Sequence, residues 1–338
     1  MGMNFWQQLK KQKGRPLMVL APMADVTDPA FRLVIAKYGK PDVMWTEFVS
    51  ADGLMLGGYD ALIKDLKFDE SERPIVAQFF TSKPDMMRKA AELAVELGFD
   101  GIDINMGCPD KSIEKQGAGA GMIKNPELAK EVILAAMEGS RLRSASASQG
   151  KSLPVSVKTR IGYNKNELET WLPAILSTHP AVVTIHARTR KEMSLVPARW
   201  EHVKRAVEIR DELQKDMPLE ERTLIFGNGD VTDIAHGAEL CRETSADGAM
   251  LGRAIFGNPW LFTNKIPTTD EKLRVMVEHT KLFEQLCSHK SFAIMKKHYK
   301  AYVNGWDGAK ELRMKLMEAG NSGEVEMIVE EYLKNVKS

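Results

Sequence analysis

Eight short runs of apolar, β-favouring residues recur along the first 253 positions: LMVLAPM (17–23), VMWTEFV (43–49), PIVAQFF (74–80), GIDINMG (101–107), LPVSVKTR (153–160), AVVTIHAR (181–188), TLIFGNG (223–229) and DGAMLGR (247–253). Most are apolar throughout instead of alternating, the pattern of strands covered on both faces. Stretches with helical periodicity lie between them. In SKPDMMRKAAELAVELG (82–98), Ser82 is placed to cap, Pro84 suits the first turn and Gly98 ends the run. KNPELAKEVILAAMEG (124–139) repeats the scheme with Asn125, Pro126 and Gly139. Eight strand–helix units in about 250 residues predict an α/β fold, a (β/α)8 TIM barrel, with a doubly wound sheet as the alternative.

The pattern changes after Trp260. TNKIPTTD reads as a linker, and from Lys272 the segments LRVMVEHTKLFEQL, FAIMKKHYKAYV and GAKELRMKLMEA carry helical spacing with no strand between them. The expected division is a catalytic barrel over 1–262 and a small all-helical C-terminal domain over 265–338, whose Met and aromatic residues form its own core. GSRLRSASASQGKS (139–152) reads as an exposed loop.

Length and composition narrow the class. At 338 residues, 43% hydrophobic and 28% charged, the chain has room for one large domain and a smaller one, and a disordered or fibrous protein is excluded. No apolar run reaches the roughly 20 residues of a membrane span, and MGMNFWQQLKKQKGRP lacks the apolar heart of a secretory signal. A cytoplasmic protein with no membrane partner is expected. Cys108, Cys241 and Cys287 are too widely spaced for a CxxC clip and odd in number, so reduced thiols and no metal are expected. The net charge of +1 conceals an asymmetry: residues 272–315 hold ten Lys or Arg against four Asp or Glu, and residues 316–338 hold five Glu against two Lys. The basic segment is a footprint that nucleic acid could use, as well as an ordinary solvated helix face.

Chemistry-bearing residues gather where a barrel's active site lies, at the carboxyl ends of the strands. They are Pro22 and Met23, Glu47, Gln78, Asn105 and Cys108, Lys158 and Arg160, His186 and Arg188, Asn228, Gly229 and Asp230, and Gly252 and Arg253. Singly each has a bland reading: Gln78 could satisfy a loop, His186 could be a core histidine, Lys158 could pair with Glu47. Such consistent placement favours a site. GNGD and LGRA after strands seven and eight put glycines and an arginine where barrels hold phosphate on bare backbone N–H groups. A lysine reaching inward from strand five suits a cofactor ring that becomes anionic on reduction, which points to flavin mononucleotide, with Gln78 at the ring's polar edge. GAGAG (117–121) lacks the GxGxxG spacing and follows no strand, and reads as a mobile glycine loop.

Cys108, between Gly107 and Pro109, faces the same mouth. A thiol of ordinary pKa, about 8.5, is protonated at neutral pH and can give a proton to a carbanion-like centre. It could equally be a small buried hydrophobe, which is the reading for Cys241 and Cys287.

APMADVTDPAFR, DINMGCPDKSIEKQGAGAGMI, PVSVKTRIGYN, TIHARTR, GNGDVTD and GRAIFGNPWLF, in this order and spacing over residues 17–262, resemble the tRNA-dihydrouridine synthases. The resemblance implies an FMN-bearing barrel, a helical domain that helps hold tRNA, and NADPH-driven reduction of a uracil base. Carried over by motif, flavin contacts fall on Pro22, Met23, Gln78, Lys158 and His186, and phosphate-side contacts on Asn228, Gly229, Asp230, Gly252 and Arg253. The catalytic cysteine is Cys108, acting as general acid at carbon 5 while hydride reaches carbon 6, and Asn105, Arg160 and Arg188 match substrate-side positions. Ala187 stands where the family usually has glycine. The basic tail, with Lys296, Lys297, Lys300 and Arg313, follows the family pattern loosely. A monomer is expected. Two other readings stay open: an FMN barrel reducing a small pyrimidine or enone, and an RNA-binding module without chemistry.

Overall fold

The computed structural model describes residues 3–141, 152–263 and 265–337, so most of the loop expected at 139–152 lies outside the described residues. All eight expected strands are present: β1 (Leu17–Leu20), β2 (Met44–Ser50), β3 (Ile75–Phe80), β4 (Gly101–Met106), β5 (Val155–Arg160), β6 (Val182–His186), β7 (Leu224–Asn228) and β8 (Gly248–Leu251). From β2 to β8 each strand pairs in parallel with its successor, and β8 pairs with β1. The ring closes between β1 and β2, where the Leu20 N–H donates to the Val43 carbonyl at 3.3 Å and the Asp42 N–H to Met18 at 2.9 Å. The fold is a (β/α)8 barrel with a helical C-terminal region, and the doubly wound alternative falls.

Alternate residues on each strand point inward. Leu17, Val19, Val43, Trp45, Val76, Val182, Leu224, Phe226 and Met250 form one buried cluster that fills the barrel. Trp6, on the helix Phe5–Lys13, joins it, its ring 5.5 Å from Trp45 and 5.7 Å from Phe226. The larger apolar layer lies between the strands and their surrounding helices. With one end plugged by tryptophan, polar groups are left to the other.

Two local expectations fare differently. Asn125 caps the helix Pro126–Gly139 by accepting from the Leu128 N–H at 3.2 Å. Ser82 does not cap: the helix Pro84–Glu96 takes Lys83 at that position, and the Ser82 hydroxyl donates instead to the Gln116 carbonyl. Ser82 sits one residue too early to reach the helix's free N–H groups.

The helices Thr269–Leu286, Met295–Tyr302, Ala309–Glu318 and Ser322–Lys337 follow the barrel, the first opened by a capping box between Thr268 and Glu271. Their core is not their own. Leu273, Met276, Phe283, Met295, Tyr299 and Tyr302 belong to the same buried cluster as Phe31, Val34 and Ile35 on the barrel helix Pro29–Tyr38. Phe31 is the pivot, stacked on His279 at 4.6 Å and edge-on to His298 at 4.9 Å. Burial holds both imidazoles neutral, His298 pushed down to about 3. Among the described residues no helix is long and apolar enough to cross a membrane.

Phe31→Ala should therefore cost about 3–5 kcal/mol, read as a lowered urea midpoint in one transition for barrel and tail together. A stability within 1 kcal/mol of wild type would show that this contact does not join them.

Candidate active site

Parallel register brings the expected residues side by side at one rim. Asn105 lies opposite Lys158, Arg160 opposite His186, and His186 opposite Asn228. Lys158 Nζ donates to Asn228 Oδ1 at 3.2 Å, and Asn228 Nδ2 is anchored on the Met250 carbonyl at 2.7 Å. Among the described residues no carboxylate lies within ion-pair distance of Lys158, and Glu47, its suggested partner, binds Lys290 instead at 2.6 Å. Burial, with Arg160 close by, pushes the Lys158 ammonium down to about 8.

The Cys108 loop is held from three sides. Asn105 Oδ1 accepts from the Gly107 and Cys108 N–H groups at 3.1 and 2.9 Å. Arg160 Nε donates to the Gly107 carbonyl at 2.8 Å, while its Nη1 donates to Thr189 and Met193 carbonyls at 3.1 Å. Nη2 of Arg160 has no protein acceptor among the described residues. The third support is the glycine segment expected to be mobile. It forms the 3-10 turn Gly119–Lys124, and the Ala120 N–H donates to the Cys108 carbonyl at 2.9 Å. Gly119, at φ +57°, is needed there because a Cβ would stand 2.8 Å from that carbonyl. Gly119 thus serves a close approach of backbone to the Cys108 loop. Cys108 itself is half-buried, and burial raises its thiol above the ordinary value.

Cations dominate the β5–β8 side. His186 is held well below its usual value by burial and by Arg160, Lys158, Arg188 and Arg253 around it. A guanidinium can only donate, so Arg188 Nη1 gives its proton to His186 Nε2 at 3.1 Å, and the neutral ring keeps its own proton on Nδ1. Arg188 is 2% exposed, its other nitrogens bound to the Val196 carbonyl and Asp230. It braces the segment after β6, a task that the expectation of substrate contact did not include. Asp230 also binds Arg253 and the Ala198 N–H, so its carboxylate, held low by the arginines, orients cations and can offer an anion only its backbone. Gly229 precedes it at φ +123°, where a Cβ would stand 2.7 Å from that of Ala198. Gly252 and Met23 adjoin across the rim, a Cβ built on the glycine lying 3.6 Å from Met23 Sδ, and Pro22 is buried directly before Met23.

Two residues escaped the sequence reading. Asp103, 1% exposed inside β4, accepts from Gln78 Nε2 and Ser156 Oγ, both at 2.5 Å. The one charged residue of the strand GIDINM was the available signal. Lys290, with a 10% exposed side chain, sits between Glu47, Asp65 (3.2 Å) and Asp25 (3.7 Å) and ties the helical region to the rim. Nothing local in the sequence marks it. Arg313, one of the basic residues of the tail, donates to the Val303 carbonyl at 2.7 Å.

A half-buried thiol, a neutral imidazole with a free N–H and an excess of cations thus share one mouth. A family model described as dihydrouridine synthase (Dus) matches residues 19–337. The chain belongs to the dihydrouridine synthase family. The probable tRNA-dihydrouridine synthase 2 of Bacillus subtilis (strain 168) is 38% identical over 335 residues, covering 97% of this chain and 96% of the relative. The probable tRNA-dihydrouridine synthase of Staphylococcus aureus (strain COL) is 38% identical over 336 residues, covering 97% and 95%. Among solved structures, DHODH from Eimeria tenella in complex with ferulenol superposes with a TM-score of 0.52 at 14% identity, covering 77% of this chain and 81% of that one, a likeness of fold alone.

Cys241 and Cys287 are at most 1% exposed, with thiols pushed up to about 12. One thiol per chain should therefore react with Ellman's reagent in the native protein, and none in Cys108→Ala; a second reactive thiol would contradict the burial.

Proposed function

We propose that this chain is a cytoplasmic tRNA-dihydrouridine synthase that uses bound FMN and NADPH to reduce the uracil 5,6 double bond of particular tRNA uridines. The observation that carries the reading is the cation excess at the mouth beside Cys108. Four cations surround His186, and the Asp230 carboxylate is shared between two of them. Such a mouth is completed by an anion, and a phosphorylated flavin supplies one.

The residues fit that cofactor. The backbone at Gly229 and Asp230, with Gly252 and Arg253, would hold the phosphate. Lys158 would meet the ring's polar edge, with the His186 N–H nearby and Pro22 and Met23 beside the ring, while Gln78, 0% exposed with its amide held between Asp103 and Asn105, would act from beneath instead of touching the ring. When bound and reduced, FMN supplies hydride to carbon 6 of the base. Cys108 supplies the proton to carbon 5. Its raised pKa keeps sulfur protonated at neutral pH, and Asn105, Arg160 and the 3-10 turn fix the loop that carries it. Asn105 and the unpartnered Nη2 of Arg160 are placed to meet the base, which must leave its stack at a cost of a few kcal/mol.

Residues 265–338 are proposed as the tRNA-holding domain. On the helix Met295–Tyr302, Lys296, Lys297 and Lys300 form no ion pair among the described residues, and Lys297 lies close enough to Asp25, Asp28 and Glu47 to feel their charge. That helix therefore flanks the β1–β2 side of the mouth, where phosphates of a bound RNA would pass.

Cys108→Ala should retain FMN and lose dihydrouridine formation by about 10²-fold or more; full turnover in the variant, or a colourless protein that FMN cannot reconstitute, would overturn the reading. The pH profile follows from Lys158. Its pKa is depressed, so the ammonium is present below about 8 and lost above it. Turnover should hold between pH 6.5 and 7.5 and fall above about 8; a rate still climbing at pH 9.5 would contradict a role for the charged lysine.

A further inference from the structure

Four hydrogen bonds run in one direction beneath the Cys108 loop. The Gly107 and Cys108 N–H groups donate to Asn105 Oδ1 at 3.1 and 2.9 Å. Asn105 Nδ2 donates to Gln78 Oε1 at 3.1 Å, and Gln78 Nε2 donates to Asp103 Oδ2 at 2.5 Å. The ends dictate the polarity. Backbone N–H groups only donate, and Asp103, raised by burial to about 6, is ionised at neutral pH and only accepts, so the two carboxamides between them have a single arrangement that gives each carbonyl oxygen a donor and each amide nitrogen an acceptor. None of the three side chains is more than 8% exposed, so water cannot substitute for a lost partner without entering the barrel.

We propose that Asp103 is a positioning residue that sets the orientation of the Gln78 and Asn105 amides and, through them, the conformation of the Cys108 loop. It makes no hydrogen bond to the loop itself. Its contribution is to be an acceptor at a fixed point: β4 pairs it with Gln78 on one side and Ser156 on the other. The Ser156 hydroxyl, 2.5 Å from Asp103 Oδ1 and 3.2 Å from the Ile102 carbonyl, holds the carboxylate in plane. Without that acceptor, Gln78 can turn its amide over, Asn105 loses its partner, and the loop loses the oxygen that gathers its two N–H groups. The inference deepens the proposed function in naming what aims the thiol, and rests on that reading only for its effect on turnover.

The test compares variants of the full-length protein. Asp103→Asn keeps an acceptor oxygen for Gln78 while its amide faces Ser156, which then donates to Ile102. Asp103→Leu has similar shape and no acceptor. With the other two thiols buried, the rate of iodoacetamide alkylation in the absence of tRNA reads Cys108 alone. Asp103→Leu should raise it about tenfold, Asp103→Asn by less than about threefold, and kcat with tRNA should fall about 10²-fold in the first variant only. Equal behaviour of the two would overturn the proposal, since charge or volume, not acceptor geometry, would then be what matters. Should Asp103→Leu fail to fold, the other end of the chain provides the test. Asn105→Asp sets carboxylates on both sides of Gln78 and should speed alkylation. Adding Asp103→Asn lets the two bonds of the Gln78 amide reverse while the loop N–H groups still donate to residue 105, and should restore the wild-type rate, whereas simple additivity would refute the coupling. The alkylation pattern is independent of the reaction: a protein that shows it yet never forms dihydrouridine would refute the functional reading and leave this one standing.

Discussion

Closing eight parallel strands into a ring leaves only one rim where their carboxyl ends can emerge. That constraint organises the rest of the molecule. The opposite end is filled by Trp6 and Trp45, so buried polar groups are tolerable only in the upper part of the barrel, where strand register pairs them. Asp103 lies between Gln78 and Ser156, and one step higher Asn105 lies beside Lys158. Residues on separate strands become neighbours because parallel strands keep step, not because any local segment encodes the site.

The second theme is charge left uncompensated. Structural guanidinium groups in this chain are generally answered, as Arg32 is by Glu72 inside the barrel wall, both at most 1% exposed. At the mouth the rule lapses. Lys158 has an amide oxygen for a partner, Arg160 has carbonyls, and Asp230 serves two arginines. Keeping cations poorly paired in a desolvated place costs stability, and such sites are usually the ones a ligand completes. The neutral His186 follows from the same field, since a fifth positive charge there would be strongly opposed.

Strand positions were legible because most strands are apolar on both faces, and the strand-end residues were legible because they interrupt that pattern. The reading failed where an outcome hung on one residue of register or on a distant partner. Asn125 caps its helix and Ser82 does not, a difference of one position in otherwise similar segments. The glycines of GAGAG signalled freedom, but at Gly119 the absent Cβ admits the Cys108 carbonyl. Glu47 and Lys290 are 243 residues apart and meet at 2.6 Å, which no local pattern announces. The apolar faces of the C-terminal helices read correctly as buried, while their partner, the barrel helix carrying Phe31, lay beyond reach of periodicity.

The proposed work of this rim is the reduction of uridine in tRNA. Mapping dihydrouridine across tRNAs from cells with the gene, without it, and complemented with the Cys108→Ala form tests it most directly. Defined positions should lose the modification in the deleted strain and regain it with the wild-type gene but not with the variant. Unchanged dihydrouridine at every position in the deleted strain, together with no product from purified protein, FMN, NADPH and tRNA, would contradict it.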